Sequence, residues 1–160
     1  MSSSNMQPFL ISGIFCGLAI YNFTIIHLPF PLILYKKLLS VQRDSNGDLT
    51  QVKFVATIDD LAELSPTVAK SMKQLLEYED DDFEDIFPLR FVVSEECFGE
   101  ARESPLKKGG DKISVTKENR KEYVNLYCDY FVNESIKRQF NKFQSGFRKV
   151  EDLSRVCQPL

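Results

Sequence analysis

Tryptophan is absent from these 160 residues, and His27 is the one histidine. The four cysteines, Cys16, Cys97, Cys128 and Cys157, are far apart and none forms a CxxC pair. A zinc site of ordinary spacing needs clustered Cys and His, so no metal is expected. No disulfide framework is visible either, which favours a reducing, intracellular setting. P-loop, GxGxxG and HExxH patterns are missing. A Cys–His nucleophile pair would have to use His27, in the most apolar part of the chain, where a core histidine is the expectation. The net charge of −3 lacks the positive excess of a nucleic-acid binder. The acidic run 77–85 has neither the glycine nor the spacing of an EF-hand loop. Acid/base work needs carboxylates in differing, partly buried surroundings, which an acidic loop rarely supplies. No self-contained enzyme is visible from the residues alone, and no cofactor is expected.

Residues 1–35 contain no Asp, Glu, Lys or Arg. Residues 9–35 are long and apolar enough to raise a membrane span. Pro29 and Pro31 would break a single helix there, and Asn22, Thr24 and His27 put polar groups near its middle. A basic n-region and a small-residue cleavage site are also missing. Two readings stand: a membrane helix, or two helices over 9–23 and 31–39. Both helices would be apolar nearly all round, as in helices buried inside a larger domain.

Thirteen Phe and six Tyr, within a hydrophobic content of 43%, supply the apolar area of a folded core. Asn46-Gly47 marks a turn, and residues 51–58 read as a short strand or an extended linker. Asp59 and Asp60 suit the first turn of a short helix over 58–64. Ser65-Pro66 opens another, with Ser as N-cap and Pro at the first helical position. On that helix Val68, Met72, Leu75 and Leu76 form one apolar stripe. The acidic loop 79–85 ends it. Residues 87–93 alternate and read as a strand, with Lys112 to Val115 as a second strand paired to it. Thr116 would cap a helix from Lys117 carrying Tyr123, Leu126, Tyr127 and Tyr130. Asn133 to Ser135 interrupts it, and Ile136, Phe140, Phe143 and Phe147 continue an apolar face to about Val150.

Several blocks then carry a family pattern. They are Gly17-Leu18-Ala19-Ile20-Tyr21-Asn22, Leu28-Pro29-Phe30-Pro31, Tyr35-Lys36-Lys37-Leu38-Leu39 and Leu64-Ser65-Pro66, with Leu75-Leu76-Glu77-Tyr78 after them. Gly109-Gly110-Asp111, Val115-Thr116, Asn119-Arg120, Tyr123-Val124-Asn125 and Ser145-Gly146-Phe147 follow in order. Together they resemble the HECT domain of ubiquitin ligases, most closely its HERC subgroup. The resemblance covers most of residues 6–150, a middle portion of that family's N-terminal lobe.

The resemblance implies a mainly helical α+β fold. Residues 6–64 would belong to the larger helical subdomain, with a long variable loop at 40–57. Residues 65–133 would form a small α/β subdomain with a short antiparallel hairpin. Residues 134–150 would return to the larger part, and 151–160 would be a divergent tail. It further implies that the small subdomain docks a ubiquitin-conjugating enzyme, an aromatic residue of which enters an apolar groove. Matched motif by motif, the groove would use Val68, Met72, Leu75, Tyr78, Phe87, Leu89, Tyr123 and Tyr127. Plain packing of these residues as core is the competing reading. Ubiquitin would be met indirectly, as the conjugating enzyme's thioester; the substrate protein is not specified. The family's catalytic cysteine lies in a separate lobe beyond the point where this chain stops, so recruitment rather than thioester transfer is expected of these residues. The alternative is a non-catalytic decoy that occupies conjugating enzymes. A cytoplasmic location without membrane insertion is the expectation, and exposed patches are expected where residues 9–39 and 140–147 lose packing partners.

Overall fold

Pro8 stands in the first turn of α1 (Gln7–Tyr21), where a missing N–H costs nothing. The computed structural model describes residues 6–43, 49–97 and 100–156, with side chains over 6–40, 52–95 and 102–150. The Asn46-Gly47 turn, the Cys97 side chain, Cys157 and the side chains of the tail lie outside that range. Two compact units divide the chain: Met1–Phe30, Leu34–Leu39 and Ile136–Leu160 form one, and Pro31–Ile33 with Ser40–Ser135 form the other.

The first unit pairs α1 with the long C-terminal helix, Lys137–Val156. Glycines set how closely they approach. A Cβ on Gly13 would sit 2.0 Å from the Phe143 carbonyl oxygen, and one on Gly146 would sit 2.1 Å from that of Leu10. Phe140, Phe143 and Val150 are buried, and Phe30 meets Phe143 edge-on at 5.8 Å. From α2 (Leu32–Leu39), the buried Lys37 places its ammonium 4.5 Å from the centre of the Phe140 ring. α1 ends in a Schellman motif: Thr24 N–H donates to the Ala19 carbonyl, Phe23 N–H to that of Ile20. Phe23 occupies the left-handed position there, with φ +51°.

The expectation of helices buried all round is not met. One stripe of α1 faces its partner, while Phe15, Ile20, Phe23 and Ile25 are exposed. His27 is exposed too, because it lies in the irregular stretch after α1 and not on a packed helix. Among the described residues, no helix is long and apolar enough to cross a membrane.

In the second unit β1 (Val41–Arg43) and β2 (Leu49–Gln51) pair antiparallel, and an extended segment leads to α3 (Ile58–Leu64). Thr57 and Asp60 close a reciprocal capping box at its start. α4 (Pro66–Glu77) follows at once; Ser65 stands at its N-cap position but makes no side-chain cap bond. The run expected as an acidic loop holds a helical turn, α5 (Phe83–Ile86). Its apolar residues 83, 86 and 87 are spaced for one helical face.

The hairpin is β3 (Val92–Cys97) with β4 (Glu100–Pro105), in the register Val92↔Pro105. The strand expected over 87–93 is extended only in part. Arg90 bridges Ser114 antiparallel, and Val115 N–H donates to the Leu89 carbonyl at 2.9 Å. Pro88 has no N–H to give, so the ladder there stays at a single bridge. Gly110, in a 3₁₀ turn (Gly110–Lys112), lies so close to Phe91 that a Cβ would sit 2.3 Å from its carbonyl oxygen. α6 is Arg120–Asp129, three residues later than expected, because Asn119 Oδ1 accepts the Thr116 N–H and closes a turn before it. A π-helical turn (Tyr130–Glu134) then interrupts the helical run where Asn133 to Ser135 was expected to. α7 is Lys137–Val156. The fold is thus a mainly helical α+β arrangement with a short antiparallel hairpin, as the sequence led us to expect.

Candidate functional site

The chain leaves α4 at Tyr78, turns through the acidic residues, and comes back as α5 and Phe87. The ring of Tyr78 meets Phe87 edge-on at 5.3 Å and Phe83 at 6.2 Å, and Phe83 lies 5.2 Å from Phe87. A second series runs from Phe91 to Tyr123 (5.5 Å), Tyr127 (6.0 Å) and Phe131 (6.1 Å, nearly parallel). Such pairings add attraction to the area the rings bury.

All eight residues named from the sequence belong to one apolar cluster or pack against it. They divide by depth. Met72, Leu75 and Tyr123 are buried, whereas Val68, Tyr78, Phe87, Leu89 and Tyr127 keep part of their surface open. Helical spacing put Val68, Met72 and Leu75 on one face, but it did not say that Ala69, Met72 and Leu75 would point innermost. Phe83 and the exposed Ile86 were missed, hidden in the acidic run. Their signal was the spacing of apolar residues through Phe83-Glu84-Asp85-Ile86-Phe87.

Polar groups brace this loop. The Tyr78 hydroxyl donates to Asp82 Oδ1 at 2.5 Å, and this bond, with some desolvation, pushes its pKa up to about 12. Arg120 donates to the Tyr78 carbonyl and, at 2.8 Å, to Glu79 Oε1. Lys117 donates to the Glu79 carbonyl at 2.6 Å and to Asp81 Oδ1 at 2.9 Å; the latter bond holds Asp81 below the usual carboxylate range. Beyond the loop, Lys107 bonds Glu122 at 2.8 Å and places its ammonium 3.8 Å from the centre of the Phe91 ring.

Chemically the site is suited to recognition. Burial pushes Tyr123 up to about 12 and raises Tyr127, so both phenols are neutral near pH 7. Cys128 is buried and pushed up to about 11, and burial raises Cys16 as well. Neither thiol is prepared as a nucleophile, since the thiolate is the reactive form. Among the described residues no three His, Cys, Asp or Glu side chains converge as metal ligands would.

Comparison with known proteins assigns the chain to a family. The model of the HECT-domain (ubiquitin-transferase) family matches residues 1–156. "Probable E3 ubiquitin-protein ligase HERC4" of Rattus norvegicus is 45% identical over 142 residues, covering 89% of this chain and 12% of that protein. "Probable E3 ubiquitin-protein ligase HECTD2" of Mus musculus is 44% identical over 147 residues, 91% of this chain and 19% of that protein. "Probable E3 ubiquitin-protein ligase HERC3" of Homo sapiens is 42% identical over 142 residues, 89% of this chain. The chain therefore spans 12 to 19% of the length of the HERC4 and HECTD2 relatives it matches. With a family match over nearly its whole length and relatives above 40% identity, this chain belongs to the HECT-domain family.

Proposed function

We propose that this chain is part of a HECT ubiquitin ligase and that its residues 65–133 recruit a ubiquitin-conjugating enzyme. The observation that carries this reading is the half-open aromatic pair of Tyr78 and Phe87, both meeting the buried Phe83 and packed against the cluster that holds Met72, Leu75 and Tyr123. Large rings on a rigid floor suit an interface anchor, which needs a pocket that excludes water. Ile86, next to Phe87 in the chain, is exposed and adds to the apolar surface on offer. The conjugating enzyme would bring ubiquitin as a thioester. In the whole ligase a cysteine thiolate would attack that carbonyl, release the conjugating enzyme's thiol, and pass ubiquitin to a substrate lysine. Residues 6–30, 34–39 and 136–150 would form the supporting unit of such a cytoplasmic enzyme.

The test is a titration of the purified 160-residue protein with a panel of ubiquitin-conjugating enzymes, followed by chemical shifts or heat. Saturable binding that Phe87→Ala weakens supports docking at this surface. A folded protein that binds none of the panel refutes it. Binding that competes with a complete ligase, without any ubiquitin transfer, would favour the decoy reading.

A further inference from the structure

The last turn of α4 carries no basic residue, although the free carbonyls of a helix C-terminus favour a cation. The cations arrive from the start of another helix. Arg120, the first residue of α6, is 8% exposed, and its guanidinium donates to the Tyr78 carbonyl and to Glu79 Oε1. Its central carbon also lies 5.7 Å from the centre of the Phe83 ring. Lys117, just ahead of the helix, donates to the Glu79 carbonyl and to Asp81. A positive charge at a helix N-terminus opposes that helix's own dipole, so α6 gains nothing from these two residues. A buried guanidinium is also costly unless its N–H groups are paired. Both costs are offset just past the end of α4, where Arg120 satisfies the Tyr78 carbonyl and Lys117 that of Glu79.

We infer that Lys117 and Arg120 are positioning residues for partner recognition. They fix the direction in which the chain leaves α4 and hold residues 78–87 in the form that presents Tyr78 and Phe87. The recognition half of this inference rests on the docking reading; the local half does not. The carbonyl contacts carry the geometry. The carboxylate partners Glu79 and Asp81 are solvent-exposed, where an ion pair contributes little. Arg120 serves a carbonyl, a carboxylate and a ring face with one planar fork, which a lysine at that position would not reproduce.

The test uses the whole 160-residue chain with Lys117→Ala, Arg120→Lys and Asp81→Asn. Amide hydrogen exchange over residues 78–87 is measured beside affinity for a conjugating enzyme that binds the parent. The expected result is faster exchange in that stretch for Lys117→Ala and Arg120→Lys, with α3 and α6 protected as before. Affinity should fall roughly tenfold, the size of one lost charge-assisted hydrogen bond. Asp81→Asn should change neither reading. Combining Lys117→Ala with Phe87→Ala should weaken binding by less than the product of the single losses, because both act on one segment. Parental exchange rates in Lys117→Ala and Arg120→Lys overturn the inference. Faster exchange with parental affinity overturns the recognition role and leaves docking intact. If the parent binds no conjugating enzyme, the docking reading and the recognition role fall together, and exchange alone decides the local role. Should Arg120→Lys not fold, Lys117→Ala, whose side chain is more exposed, still decides.

Discussion

Tyr123 and Phe87 sit in the same cluster yet are different experiments. Tyr123 is 3% exposed, so Tyr123→Ala removes a core ring and should cost stability by about 3–5 kcal/mol. Phe87 is half-open, so Phe87→Ala should keep the fold and weaken docking by about 1–3 kcal/mol. Thermal melts and a conjugating-enzyme titration, run on both variants, separate these expectations. Equal losses of stability would mean that Phe87 is simply core. Tyr123 also implies an alkaline limit. Its folded pKa is raised from 10.0 to about 12, chiefly by burial, so its neutral form is the one the fold favours. That contribution is complete below pH 10 and is lost as pH rises through about 12. Tyr78 adds in the same direction through its bond to Asp82. Tyr123→Phe should therefore move alkaline unfolding, followed by circular dichroism, to higher pH. An unchanged midpoint would show that the phenol does not set it.

At the scale of elements, the pairing of α1 with α7 depends on missing side chains. Gly146→Ala would drive a Cβ into the Leu10 carbonyl, and the helices would have to separate. A loss of about 1–3 kcal/mol is expected, read as faster exchange of α1 amides. The Schellman turn after α1 offers the opposite case. Phe23 holds a left-handed φ of +51° with its ring 96% exposed, so Phe23→Gly should raise the melting temperature by relieving about 1 kcal/mol of strain. Two helices were legible because they carry their own punctuation: Asp59 and Asp60 for α3, Ser65-Pro66 for α4. The hairpin was less so. Alternation through Phe87, Leu89, Phe91 and Val93 marked an extended chain, but which partner it pairs with is settled by hydrogen bonds across many residues. Pro88 and the close approach of Gly110 to Phe91 moved the regular ladder to β3 and β4.

At the scale of the molecule, the first unit leaves several large apolar side chains exposed. Phe15, Ile20, Phe23, Ile25 and Leu39 are open, beside a cavity of about 480 Å³ lined by Cys16, Ile26, Tyr35, Leu38 and Phe147. Contiguous patches of this kind favour association. The chain should therefore self-associate as its concentration rises in sedimentation experiments. Replacing Phe23 and Ile25 by Glu should suppress that association and leave the far-ultraviolet circular dichroism unchanged. If the doubly substituted chain associates as before, the driving surface lies elsewhere.

The sequence alone carried the mainly helical class, the positions of several helices and the family resemblance, which in turn implied a group of residues around Tyr78, Phe87 and Tyr123. Those features are carried by local periodicity, by caps and by ordered motifs, which are properties of neighbouring residues. The tertiary structure decided depth and direction. It put Tyr123 inside and Phe87 at the surface, and it turned part of an acidic loop into α5. It also brought Lys117 and Arg120 across 36 to 42 positions of chain to the end of α4. Contacts over such separations depend on how whole elements pack, and no window of sequence contains both partners.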